Sequence, residues 1–228
     1  MRQRSKKYQN WKDQYWTNKH LSLVDSLQIL KKHSLEKFNS TLNLVFHLNL
    51  NAKKPEHNLR GYYNLPKAAS SKIIIAVFSK TKQNEAEAAG VQIVGGVELI
   101  EKIAKTKKIK FDIALATPEI VRDLSKIAPI LGPKKLMPTS KNGTVSLELT
   151  NVIKEFQSGR KNFQTDGSKC LQFVLGKLSD SIEDLTANYH YLLDKVIQIR
   201  PQSIKGKYIK GLHLSGTMTP GFRLELHN

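Results

Sequence analysis

The sequence predicts an α/β protein of two domains: a split α+β domain with an antiparallel sheet, and an inserted three-layer α/β domain with a parallel sheet. Three observations carry this. Leu42, Leu44, Phe46, Leu48 and Leu50 recur at every second position, the period of a strand that covers a core on one face. Between Ile73 and Ala116 the apolar runs do not alternate and are separated by helical stretches, the pattern of parallel strands buried on both faces. Beyond Gly159 alternation returns. The two ends of the chain therefore share one grammar and the middle has another, so residues 1–66 and 159–228 are expected to build one domain around an insertion of residues 67–158. Two linker strands would join them and permit hinge motion.

The elements follow in order. Ser22 with Asp25 three residues on is a rough capping box, and Leu23, Leu27 and Leu30 continue a helix that ends near His33. After the strand from Leu42, a polar loop from Asn51 to Asn58 leads to a shorter strand around Arg60 to Leu65, expected to pair antiparallel with the first. In the middle, Ile73 to Phe78, Val91 to Val94 and Phe111 to Ala116 read as strands, with Glu85 to Ala89 and Val97 to Lys105 as helices. Thr117-Pro118-Glu119 reads as an N-cap, a first-turn proline and an acidic first turn. Asp112 and Glu119 flank that helix start, and capping is the role expected of the acidic side chain. A Gly/Pro-rich loop, Leu131 to Gly143, precedes a helix near Leu149 to Gln157. The tail supplies a strand at Gln172 to Leu175, a helix from Ser181 to Arg200 with the stripe Ile182, Leu185, Tyr189, Leu192, Leu193 and Val196, and strands at Lys207 to Leu214 and Phe222 to Leu226.

Charge narrows the partner. Against 19 Asp+Glu the 228 residues carry 37 Lys+Arg, a net +18 that exceeds what solubility asks for and favours a polyanion, nucleic acid first. The outer pieces hold 22 basic and 10 acidic side chains and the middle 15 and 9, so the outer domain is the better candidate for RNA. A membrane partner is not expected, since neither a long apolar run nor a Lys-rich amphipathic helix with a broad apolar face is present. The single Cys170 excludes an intrachain disulfide and reads as a small buried residue. No cofactor or metal site is expected either: the seven histidines show no paired metal spacing, and no Gly-x-Gly-x-x-Gly or phosphate-loop Gly-Lys-Ser/Thr is present. An enzyme is therefore not expected, although a doubly wound sheet often holds a nucleotide at its strand ends. At the N-terminus Arg2, Arg4, Lys6, Lys7 and Lys12 are interleaved with Tyr8, Trp11, Tyr15 and Trp16, as in a nucleic-acid arm rather than a transit peptide.

The order of short motifs resembles one family. Lys37-Phe38-Asn39-Ser40-Thr41, Asn58-Leu59-Arg60-Gly61, Leu65-Pro66, Ala89-Gly90, Val94-Gly95-Gly96, Phe111-Asp112, Ala116-Thr117-Pro118, Leu131-Gly132-Pro133, Leu136-Met137-Pro138, Gly143-Thr144-Val145, Gly176-Lys177, Lys205-Gly206 and Thr217-Met218 are similar in sequence and spacing to the L-one proteins of the large ribosomal subunit. Each motif is weak alone, but together they cover nearly the whole chain. The resemblance implies a split RNA-binding domain with a Rossmann-like domain inserted. It also implies a non-enzymatic constituent of the ribosome that binds large-subunit rRNA, forms the mobile side stalk beside other subunit components, and assists release of exit-site transfer RNA. A family member can also repress translation by binding its own messenger RNA through the same surface.

Site residues carried over by position are Lys37, Phe38 and Thr41 at the first strand and Thr217, Met218 and Thr219 in the last turn, joined by the arm residues Arg4, Lys6 and Lys7. A lysine can neutralise phosphate, threonine hydroxyls can read ribose hydroxyls, and Phe38 and Met218 can pack on riboses or bases. Phe38 as a core residue and Met218 as turn filler are the plain alternatives. Arg60, Lys134, Lys135 and Lys141 form a further set for transfer RNA or rRNA, with solvated loop charge as the alternative.

Departures from the family pattern point to its branch. Lys135 stands where the family has glycine, Pro138-Thr139-Ser140-Lys141 replaces Pro-Asn-Pro-Lys, and Thr219 replaces the glycine of Thr-Met-Gly with Gly221 two residues on, as if the glycine conformation had moved. These changes suit an organellar ribosome in the mitochondrial matrix, the plastid and the bacterial cytoplasm being the alternatives, while the 30 Lys to 7 Arg suit an A+T-rich coding sequence.

Overall fold

A computed structural model describes residues 6–15, 20–32, 38–51, 55–67, 73–134 and 136–226. In chain order the elements are α1 (Lys6–Tyr15), α2 (Leu23–Lys32), β1 (Thr41–Leu48), β2 (Arg60–Tyr63), β3 (Ile75–Phe78), α3 (Gln83–Ala88), β4 (Ile93–Gly95), α4 (Val97–Thr106), β5 (Ile113–Ala116), α5 (Val121–Leu124), α6 (Ala128–Leu131), α7 (Leu149–Gln157), β6 (Lys161–Gln164), β7 (Cys170–Lys177), α8 (Ile182–Gln198), β8 (Ile209–Gly216) and β9 (Phe222–Arg223). The chain divides into two compact units, Met1–Leu59, Leu65–Ala68 and Phe163–Asn228 in the first, Arg60–Asn64 and Ala69–Asn162 in the second.

In the first unit β1 lies inside a four-stranded sheet of order β7-β1-β8-β9, antiparallel to both β7 and β8. The alternation of β1 is realised: Leu42, Leu44, Phe46 and Leu48 are buried while the residues between them are half-exposed. Phe46 meets Phe173 of β7 edge to face at 5.6 Å, a geometry worth about 0.5–1.5 kcal/mol beyond the buried area. Helix α8 closes on the apolar side of β7, where Gly176 makes the approach possible: a Cβ there would stand 2.6 Å from Leu185 Cδ2. α8 begins at Ser181, whose hydroxyl accepts from Asp184 N at 3.0 Å. Ser22 caps α2 in the same way, accepting from Asp25 N at 3.1 Å.

Several expectations change here. β2 does not pair with β1, because β7 and β8 occupy both of its edges; β2 pairs with β6 in a two-stranded sheet. The connection after β1 is no hairpin but contains a 3-10 turn at Pro55–His57, with His57 Nδ1 accepting from Asn51 N at 2.7 Å. Trp11 is not an exposed arm aromatic: it is 5% exposed and packs on Phe222 with ring centroids 5.7 Å apart. Cys170, at the start of β7, is half-exposed rather than buried.

In the second unit β4, β3 and β5 form a parallel sheet, order β4-β3-β5. Every residue of β3 is buried, because core lies on both sides of the sheet. Ala76, Phe78, Ala114 and Ala116 pack with Ile100 and Ile103 of α4 and with Leu124 and Leu131 of α5 and α6. On the other side Ile75, Val77 and Leu115 pack with Ala86 of α3 and with Leu149, Ile153 and Phe156 of α7. The expected cap at Thr117 is corrected. Thr117 takes an extended conformation before the 3-10 turn Pro118–Ile120, but its buried hydroxyl has no partner among the described residues, and its backbone N–H donates instead to Phe78 O at 3.0 Å. Asp112 likewise caps no helix; its Oδ2 accepts from Ile74 N at 3.0 Å, fixing the entry to β3 beside β5.

Candidate nucleic-acid interface

One end of the four-stranded sheet gathers polar backbone and short side chains from parts of the sequence more than 170 residues apart. Thr41, the first residue of β1, is in register with Lys177, the last of β7. On its other side Leu42 is opposite Gly216, the last residue of β8. The chain then turns through Thr217, Met218 and Thr219 into β9. Thr217 Oγ1 accepts from Thr41 N at 3.2 Å and donates to Thr41 O at 3.3 Å, while Thr217 N donates to the buried Ser40 Oγ at 3.0 Å. Thr219 Oγ1 accepts from Gly216 N at 2.8 Å. The turn is thus stitched to the start of β1 by hydroxyl groups.

These hydrogen bonds divide the expected residues by task. Thr217 and Thr219 hold the shape of the turn, and Thr219 needs no glycine conformation: neither it nor Gly221 has a positive φ. Among the described residues, Met218, 59% exposed, and Phe38, 53% exposed, are the large apolar side chains left on the surface at this end. Around them are Asn39, whose amide donates to Ser179 Oγ at 2.8 Å, and Asp180, whose Oδ2 accepts from Lys177 N at 2.8 Å. Lys31 Nζ donates to Asp180 O. The result is a fixed rim of hydroxyl, amide and lysine groups beside two exposed apolar side chains, suited to hydrogen-bonding a sugar-phosphate backbone and packing on riboses or bases. Ser40, Asn39 and Lys177 belong to this end although sequence reasoning did not single them out. The signal was available, since they sit within the motifs Lys37-Phe38-Asn39-Ser40-Thr41 and Gly176-Lys177.

Of the basic arm, Lys6 is an exposed residue of α1. Arg4, Lys37 and Lys135 lie outside the described residues, as do the side chains of Lys7 and Lys141.

The second unit holds its own cluster, which joins two of the expected segments. Arg60 opens β2, and two residues on Tyr62 presents its ring 3.6 Å beneath the Arg160 guanidinium. Arg160 is 3% exposed; it donates to Glu155 Oε2 at 2.5 Å, to Asn142 O at 2.9 Å and to Gly143 O at 3.3 Å. Gly143 is required here twice over, by its φ of +62° and because a Cβ would collide with Arg160 Nη2. Arg160 therefore ties the loop that carries Lys141 to the strand that carries Arg60, whereas Lys134 is an exposed residue elsewhere in that loop. Sequence reasoning passed over Arg160, because nothing in a Gly-Arg pair announces a buried cation stacked on aromatic rings.

Comparison with known proteins agrees over nearly all of the chain. The profile of the "Ribosomal protein L1p/L10e family" matches residues 30–220. A "Large ribosomal subunit protein uL1" of Mycoplasma mycoides subsp. mycoides is 35% identical over 221 residues, covering 97% of this chain and 98% of that protein. Proteins of the same name from Kitasatospora aureofaciens and Rickettsia rickettsii are 37% and 36% identical, over 89% and 90% of this chain and 84% and 86% of theirs. These relatives are bacterial and lend no support to the expected organellar origin.

Proposed function

The chain belongs to the ribosomal protein L1p/L10e family, whose members are structural, non-enzymatic constituents of the large ribosomal subunit, and on that premise we propose that it binds the rRNA of the side stalk through the Thr217 end of its four-stranded sheet. The observation that carries the reading is the turn itself: hydroxyl groups spend their hydrogen bonds on shaping it, and Met218 and Phe38 are left exposed beside it. The net +18 supplies the long-range attraction to a polyanion. In this reading the split first unit is the RNA-binding domain and the second an inserted Rossmann-like domain. The stalk it caps swings to meet exit-site transfer RNA, for which Arg60, Lys134, Lys135 and Lys141 are the candidate contacts. No covalent step is involved.

Binding to a stalk-rRNA fragment should weaken steeply with salt, with a log-log slope of roughly −4 to −8 if about five to ten phosphates are neutralised. A slope near zero in a fluorescence titration overturns RNA as the partner. Repression through its own messenger RNA would use the same surface, and titrating the native transcript beside the rRNA fragment measures that preference directly. The bacterial relatives support a ribosome of bacterial type; the mitochondrial matrix location rests on the departures at Lys135, Thr139, Ser140 and Thr219 alone, and cofractionation with mitochondrial large subunits tests it.

A further inference from the structure

At the β9 edge of the same sheet lies an open notch of about 410 Å³, lined by His20, Lys207, Lys210, Gly211, Arg223 and Glu225 among others. The Thr217 hydrogen bonds do not use it. Two backbone features make it. Pairing of β1 with β8 passes from His47–Gly211 to Leu48–Ile209, which leaves Lys210 as the extra residue of a bulge. By alternation Lys210 shares the parity of buried Leu212 and Leu214, yet it is exposed, because a bulge re-aims the side chain it carries. Gly211 then forms part of the floor. A Cβ there would stand 3.3 Å from His213 Cε1, so the imidazole lies against the glycine, and His213 is in register with Arg223 of β9. From the other direction Leu21 N donates to Arg223 O and Glu225 N to Leu21 O, each at 3.0 Å, which brings His20 into the wall. Separate stretches of chain thus set two lysines, an arginine and a histidine around one concavity, with Glu225 the one carboxylate among the described residues of its lining.

We propose that this notch is a second RNA-contact site that holds backbone phosphate of the same RNA that the Thr217 turn engages. The proposal rests on the RNA-binding reading above and extends it along the sheet. Cations gathered in this way repel one another until an anion arrives, and a phosphate offers charge-assisted hydrogen bonds to several at once. Strand β8 runs from the notch straight into the turn, about 20 Å at 3.3 Å per residue, so one RNA backbone can span both. His213 reports on occupancy. It faces Arg223 from β9, His47 from β1 and His20 from the segment before α2, and burial followed by these charges holds its proton affinity below the ordinary imidazole value. A phosphate in the notch opposes those charges and draws a proton in, so RNA binding should strengthen as pH falls from about 8 to about 6.

The test uses the full chain and a labelled transcript of the stalk region of the large-subunit rRNA, titrated across salt at about pH 6 and about pH 8. Lys210→Gln with Arg223→Gln should weaken binding about tenfold or more at about 0.1 M salt and flatten the log-log slope by about 2, roughly one for each phosphate no longer neutralised. The parent should bind severalfold more tightly at the lower pH than at the higher, and His213→Gln should remove most of that gain. Circular dichroism checks that the variants, changed at exposed or half-exposed positions, remain folded. If the parent binds with a steep slope and the Lys210→Gln, Arg223→Gln protein matches it in affinity and slope, the notch is not an RNA site while the Thr217 interface stands. A parent with no salt-dependent affinity overturns the RNA reading and this inference together.

Discussion

At the scale of single residues, Thr217 and Thr219 shape the last turn through their hydroxyls, and substitutions there test whether Met218 recognises RNA. Thr217→Val removes a hydroxyl that both donates to and accepts from the Thr41 backbone, so it should cost about 1 kcal/mol of stability as well as weakening RNA binding. Met218→Ala changes an exposed side chain and should leave stability within about 0.5 kcal/mol. Binding by either should fall by about 1–3 kcal/mol, roughly fivefold to 150-fold. Thermal melts paired with titrations check this, and a Met218→Ala protein that binds like the parent rejects the turn as a recognition element. His213 gives a pH signature in the free protein. Its folded value lies below the unfolded 6.5, by burial first and then by Arg223, His47 and His20. Protons therefore favour the unfolded chain, and the stability His213 contributes is present above pH 6.5 and lost as pH falls toward its lower folded value. The melting temperature should decline between about pH 7.5 and about pH 5.5 and decline less in His213→Gln; equal declines would count against it. That Thr217 and Met218 lie in a turn between two strands was legible in the sequence. The hydroxyl stitching was not, since only folding brings Ser40 and Thr41 to a turn 176 residues away.

Among the elements, α8 shows both what pattern reading finds and what it misses. The Ser181 cap and the stripe through Leu185, Leu192 and Val196 were readable, and all three apolar residues are buried. Asn188, on the same stripe, was not: an asparagine reads as solvent-facing, yet it is fully buried. Its amide donates to Leu175 O at 3.0 Å and to Lys67 O at 3.1 Å, and its oxygen accepts from Lys67 N at 3.2 Å. The side chain completes the hydrogen bonds of a chain segment that has no strand partner there. Asn188→Leu keeps the size but strands those backbone groups, so it should cost about 1–3 kcal/mol, read as a drop of several degrees in the melt. An unchanged melting temperature would show that the segment makes its bonds elsewhere. The β1–β2 pairing failed as an expectation for a related reason: alternation tells which face of a strand is buried, but not which strands flank it.

For the molecule as a whole, the chain divides into two compact units that each take up more than one stretch of sequence. Replacing residues 67–158 with a short Gly/Ser linker should leave a folded remainder that still binds stalk rRNA, because every strand of the four-stranded sheet stays present. Circular dichroism of an unfolded remainder, or a loss of affinity above tenfold, would argue against an insertion. Strand periods and the return of alternation made the mixed α/β class and the antiparallel sheet legible. Residues 60–64, expected with the outer pieces of the chain, cluster with the second unit; a four-residue strand such as β2 has too few positions for period alone to say which sheet it joins.

The central place of β1 also sets a timetable for making the protein. Its partners are β7 and β8, and β8 ends at Gly216. At about 5–20 residues per second, a nascent chain leaves β1 without its last neighbour for on the order of ten to thirty seconds after it is synthesised. Ala69–Asn162, most of the second unit, is complete in the meantime and can fold first. The apolar face of Leu42, Leu44, Phe46 and Leu48 waits, available to a chaperone or to another unfinished chain. A message that stops short of β8 would therefore release a product whose second unit is folded and whose first displays an oily strand with an open edge, a natural substrate for quality-control proteolysis.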